Sequence, residues 1–101
     1  MMASHYAPDA AIRLEVGKVE PGEALLAFGP VRADGVEHAA MLLNLSEKGS
    51  LREAAVNLFG FMKQLDAAGA RTITVEPIPH DGLGEAINDR LRRAAAPRDG
   101  T

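Results

Sequence analysis

Residues 41–75 read MLLNLSEKGSLREAAVNLFGFMKQLDAAGARTITV, and this stretch decides the fold. Met41-Leu42-Leu43-Asn44-Leu45 is a short apolar run of strand length. Ser50 and Glu53 form an S-x-x-E capping box, the signature of a helix start. Leu51, Ala55, Leu58, Met62 and Leu65 then recur at spacings of three and four, which predicts one apolar stripe on a long helix, flanked by Phe59 and Phe61. Gly69 supplies the helix stop. Thr72-Ile73-Thr74-Val75 is β-branched and alternating, so it reads as a strand. Strand, helix and strand in this order predict a βαβ unit with a right-handed parallel crossover.

Working outward, Arg13-Leu14-Glu15-Val16 alternates with period two and predicts a half-buried strand. Ala24-Leu25-Leu26-Ala27-Phe28, closed by Gly29-Pro30, fits a buried strand. The polar, glycine-containing segment 31–38 reads as a loop. Downstream, residues 77–82 (Pro-Ile-Pro-His-Asp-Gly) must turn. A second helix is expected from about Leu83 to Ala95, with Leu83, Ala86, Ile87, Leu91 and Ala94 as its apolar face. Glu85 and Asp89 near its start and Arg90, Arg92 and Arg93 towards its end complement the helix dipole. The predicted order is β-β-β-α-β-α. That pattern implies an α/β fold, a small Rossmann-like sandwich of about four mostly parallel strands with two amphipathic helices.

The 101-residue length argues for one domain, and 47% hydrophobic residues are enough for its core. The absence of cysteine excludes a disulfide framework and thiolate metal sites. A formal net charge of -3 does not favour nucleic acid or an anionic membrane as a partner. The apolar runs are too short to span a bilayer, and the first residues lack the basic and apolar regions of a secretory signal. A cytoplasmic protein is the expectation. Residues 1–11 read as an extended leader, because Pro8 biases its neighbour towards extended geometry and little there would pack.

Chemistry-bearing motifs are sparse. Neither G-x-G-x-x-G nor a Walker-type loop occurs. Gly82-Leu83-Gly84 opens a helix after a strand and turn, so its backbone N–H groups are a possible anion-binding helix start. A tight strand-to-helix turn explains the same glycines. His5, His38 and His80 lie at no metal-ligand spacing from one another. His80-Asp81 beside Glu76 is the one cluster resembling an acid/base set, though a solvated loop accounts for it better. Arg90, Arg92, Arg93 and Arg98 form a basic patch without interleaved aromatics, better read as a solvated helix face. No catalytic residue and no metal ligand is expected in this chain.

Three stretches taken together resemble a known family. They are Ser4-His5-Tyr6-Ala7-Pro8 after a Met; Asn57-Leu58-Phe59 followed by Gln64-Leu65-Asp66-Ala67-Ala68-Gly69; and Gly82-Leu83-Gly84-Glu85-Ala86-Ile87-Asn88-Asp89-Arg90-Leu91. In this order they are similar to the long, two-domain form of the threonylcarbamoyl-AMP synthases. In that family a YrdC-like catalytic domain is followed by a linker and a small Rossmann-like C-terminal domain. The resemblance implies residues 1–11 as interdomain linker, 12–97 as the accessory α/β domain and 98–101 as a tail. It implies a parent nucleotidyltransferase that makes threonylcarbamoyl-AMP and pyrophosphate from ATP, bicarbonate and threonine, for modification of tRNA. ATP, with Mg, would bind the catalytic domain, and no cofactor is expected in this chain. His5 and Tyr6 match the family linker, which implies a ligand-gating role. The implied partner is the YrdC-like domain, normally in cis, with other tRNA threonylcarbamoylation proteins as further candidates. The sequence departs from the family where residues 17–23 are too short for the helix of longer relatives, and where the Ser-Pro-Gly before the linker Met is missing. Two alternatives stay open: a free-standing nucleotide- or anion-binding module, and a protein-interaction domain.

Overall fold

The computed structural model describes residues 9–96. Its elements are β1 (Ala11–Arg13), β2 (Ala24–Ala27), a 3-10 turn (Val36–His38), β3 (Met41–Asn44), α1 (Leu51–Ala67), β4 (Thr72–Val75) and α2 (Leu83–Ala95). The strands form one sheet in the order β1-β4-β2-β3, and every pairing is parallel. This is the predicted α/β fold. Within it β3 and β4 are not neighbours, because β2 lies between them and the crossover through α1 passes over it. The sequence of β2, Ala-Leu-Leu-Ala, accounts for this. All four residues are fully buried, which is possible only for a strand inside the sheet and covered on both faces.

The first strand is also earlier than the alternation at 13–16 suggests. Pairing with β4 covers residues 11–13, and Glu15 has a left-handed backbone with φ of 53° that breaks the strand. The Val16 N–H nevertheless returns to the Val75 carbonyl at 3.0 Å. Ala10 is already buried in the core, so the packed unit includes residues 10 and 11.

The start of α1 follows the capping prediction with one substitution of partner. Ser50 Oγ accepts the Glu53 N–H at 3.1 Å. The reciprocal half runs through Ser46. Its hydroxyl donates to Glu53 Oε1 at 2.6 Å and accepts the Ser50 N–H at 2.9 Å. The buried face of α1 is Ala54, Leu58, Met62 and Leu65, with Ala55 exposed. On α2 the buried residues are Gly84, Ile87, Asn88 and Leu91, and the expected contributors Leu83 and Ala86 are exposed. Gly84 explains the shift of face. With no side chain there, α2 settles onto the Pro79 carbonyl and rotates Leu83 outward.

Both helices lie on one face of the sheet, over Leu26, Ile73 and Val75. Among the described residues the opposite face carries no α-helix and is covered by loops and the 3-10 turn. Val19, Ala33, Val36 and Ala39 pack there on Leu25 and Ala27. The two covering loops hold each other by backbone bonds, from Val19 N–H to Asp34 O at 2.7 Å and from Asp34 N–H to Gly17 O at 2.9 Å.

Leu58 sits mid-helix in the main core, and Val56 projects from the same helix into solvent. Leu58→Ala is expected to lower stability by about 2–5 kcal/mol, whereas Val56→Ala stays within about 0.5 kcal/mol. Urea denaturation of both variants, followed by circular dichroism, checks the pair.

Candidate functional site

Parallel α/β sheets place ligand crevices outside the carboxyl ends of their strands. Here that edge is formed by the exits of β1, β2 and β4. A cavity of about 320 Å³ lies there, lined by residues that include Val16, Phe28, Val31, Arg32 and Glu76. Its most buried charge is Glu76, with a side chain only 4% exposed. The Glu76 carboxylate accepts four donors: Phe28 N–H at 2.9 Å, Ala33 N–H at 2.7 Å, Arg32 Nε at 3.1 Å and Arg32 Nη2 at 3.0 Å. Arg32 also donates to the carbonyls of Phe28, Gly29 and Val31. The pair clamps the 28–33 loop over the sheet edge. Removing one partner of such a pair would strand the other charge in a buried place.

A second carboxylate acts similarly before β2. Glu23 accepts the Arg13 guanidinium at 2.7 and 2.8 Å, the Thr74 hydroxyl at 2.8 Å and the Glu20 N–H at 2.9 Å. Burial alone would raise its pKa. The hydrogen bonds from Glu20, Thr74 and Arg13, with the Arg13 charge, outweigh burial and hold the carboxyl below the ordinary glutamate range.

The residues singled out in the sequence fall in separate places. Glu76 is engaged with Arg32, and His80 instead meets Glu15, Nε2 to Oε2 at 2.7 Å, with both side chains about half exposed. Asp81 is exposed, and its carbonyl accepts the Gly84 N–H at 2.9 Å. The acid/base set suggested by proximity in sequence is therefore not assembled. Gly82 precedes α2 with φ 58° and ψ -129°, a conformation reserved almost entirely for glycine. A Cβ on Gly84 would overlap the Pro79 carbonyl oxygen. The Gly84 and Glu85 N–H groups turn back to the Asp81 and Gly82 carbonyls. His5 and Tyr6 lie outside the described residues. Among the described residues, no three His, Asp or Glu side chains converge as metal ligands.

The motif residues carry structural tasks that sequence reading left unassigned. Asn88 is buried, and its amide donates to the carbonyls of Ile78 at 3.0 Å, Pro79 at 3.2 Å and Gly84 at 2.9 Å. It fixes the proline turn against α2. Asn57 donates to the Leu45 carbonyl at 2.9 Å and ties α1 to the end of β3. Asp66 accepts the N–H groups of Asp9 at 3.3 Å and Ala10 at 3.0 Å, which anchors the chain entering β1 at the far end of α1. Their signal was available: an Asn or Asp at a helix position beside a turn is a frequent clamp of main-chain groups.

Between α1 and α2 runs a groove of about 660 Å³, open to solvent. Ala55, Phe59 and Met62 line one side, with Leu83, Ala86 and Ile87 on the other. Leu83 is 48% exposed and Phe59 is 53% exposed. The Lys63 ammonium sits 5.2 Å from the centre of the Phe59 ring.

These features define a single-sheet, all-parallel α/β domain whose hydrogen-bonded carboxylates, Glu76 and Glu23, act as loop clamps. The family described as threonylcarbamoyl-AMP synthase, C-terminal domain, matches residues 1–96, and the chain belongs to it. Comparison with curated proteins finds no match. Among the described residues, no helix is long and apolar enough to cross a membrane.

The lowered pKa of Glu23 gives a signed pH dependence. Its contribution is present above the unfolded glutamate value, about 4.5, and is lost as pH falls through the lower folded value. Glu23→Gln should therefore lower stability at pH 7 and flatten the acid limb of the stability curve. Urea midpoints of the two proteins between pH 7 and pH 3 check this.

Proposed function

We propose that this chain is the accessory domain of a threonylcarbamoyl-AMP synthase and is non-catalytic by itself. The observation that carries the reading is the family match across residues 1–96. The parent reaction joins ATP, bicarbonate and threonine into threonylcarbamoyl-AMP with release of pyrophosphate, a nucleotidyl transfer that serves threonylcarbamoyl-adenosine formation in tRNA. ATP, with Mg, binds the YrdC-like catalytic domain, which is the partner of this one. Other proteins of the same tRNA modification are further partners, and the compartment is the cytoplasm. The clamped carboxylates support the reading: Glu76 and Glu23 have their oxygens occupied by main-chain and arginine donors, so neither is poised for proton transfer to a substrate. The leader carries the contact with chemistry. His5 and Tyr6 gate ligand, the tyrosine ring giving apolar cover and its hydroxyl reaching a polar group.

The purified chain should release no pyrophosphate from ATP in a threonine- and bicarbonate-dependent manner, and should alter turnover when added to a YrdC-like synthase domain. Pyrophosphate release by the chain alone overturns the reading. In a protein carrying both domains, Tyr6→Ala should reduce threonylcarbamoyl-AMP formation while His80→Ala with Asp81→Ala leaves it near wild type. The same coupled pyrophosphate assay reads both.

A further inference from the structure

The groove between α1 and α2 is flanked by cations on both sides. On α1, Arg52 and Lys63 adjoin Ala55 and Phe59 on the side away from the core, since residues three and four apart share a helix face. On α2, Arg90 and Arg93 border the groove beside Ala86 and Ala94. Asp89 also lines it, and that carboxylate is engaged by Arg93 at 2.9 Å and Arg92 at 3.7 Å. Among the described residues, Arg52, Lys63 and Arg90 form no salt bridge. The chain as a whole is acidic, at -3, so these cations run against its average charge. The floor is apolar, formed by Ala55, Phe59 and Met62 with Leu83, Ala86 and Ile87. The 11-residue interval from Leu83 to Ala94 spans roughly 16 Å, about three helical turns.

We propose that this groove docks an amphipathic α-helix whose apolar stripe is flanked on both sides by Asp or Glu. The apolar stripe fills the floor at i, i+3 or i+4 and i+7 spacing, as helix-in-groove recognition requires. The acidic flanks meet Arg52 and Lys63 on one side and Arg90 and Arg93 on the other, which fixes register and excludes basic helices. This goes beyond the accessory role proposed above: it names a surface and the chemistry of its partner, whichever protein carries the helix. A nucleic-acid strand fits less well, because the floor presents aliphatic side chains with Phe59 as its one aromatic ring, and stacking platforms need several.

The test titrates the isotope-labelled full chain with two synthetic helical peptides that share a leucine stripe, one flanked by Glu and one by Lys, and follows amide shifts by NMR. Saturable shifts at Ala55, Phe59, Leu83 and Ala86, with the Glu peptide at least about tenfold tighter, are expected. Leu83→Asp should abolish binding, and because Leu83 is half exposed the fold persists, as circular dichroism will verify. The combined change Arg52→Glu, Lys63→Glu and Arg90→Glu should reverse the preference to the Lys peptide. Equal binding of both peptides, no saturable shift, or insensitivity to Leu83→Asp overturns the proposal. So does a single-stranded RNA oligonucleotide that shifts the same amides when the Glu peptide does not. Concentration-dependent dimerisation lost in Leu83→Asp also overturns it, because a second copy is then the occupant. No synthase domain enters this experiment, so its outcome is separate from that of the pyrophosphate assay.

Discussion

The structure depends on covering β2 on both faces. Leu25 and Leu26 point to opposite sides of the sheet and both are fully buried. A strand of this kind in a parallel sheet normally has helices above and below. Among the described residues there are two long helices, and both lie on the Leu26 side. The Leu25 side must be closed by loops, and loops bring unpaired main-chain groups with them.

That constraint explains where the charged residues went. Main-chain N–H groups of a packed loop need acceptors, and a carboxylate offers several from one side chain. Glu76 takes the N–H groups of Phe28 and Ala33 while neutralised by Arg32. Glu23 takes the N–H of Glu20 and the hydroxyl of Thr74, with Arg13 as counter-ion. Thr74 is the one polar member of β4 that is fully buried, and it faces the loop layer between Ile73 and Val75, which face the helices. The polar residues of the second layer thus serve to hold loops down, as helix packing does for the first. The outer side of the helix layer, by contrast, leaves Ala55, Leu83 and Ala86 exposed along a groove that Arg90 and Arg93 also line.

The glycine and asparagine of residues 82–91 show the same economy at the other layer. Gly84 lets α2 sit against the Pro79 carbonyl, and Asn88 binds that carbonyl and its neighbour from one turn further on. The tight strand-to-helix turn read from these glycines forms, in three dimensions, a seam between α2 and the turn before it. The chain entering β1 is held in a comparable way, by Asp66 at the end of α1 accepting the N–H groups of residues 9 and 10.

The sequence by itself determined the element types and their order. Apolar spacing of three and four marks α1, alternation marks β4, and the apolar run marks β2, because these patterns follow from local backbone geometry. Capping at Ser50 and the fold class were legible for the same reason. Three things only the tertiary structure decided. The sheet order, with β2 between β3 and β4, is a competition for burial among strands. The rotation of α2 that exposes Leu83 follows from the contact of Gly84 with a carbonyl five residues earlier. The partners of Glu76 and Glu23 come from residues 44 and 51 positions away, as in the bonds to Arg32 and Thr74. A carboxylate carries no local signature of which distant donor it will meet. Glu76 therefore looked like a neighbour of His80 in the chain and became a clamp on the 28–33 loop in the fold.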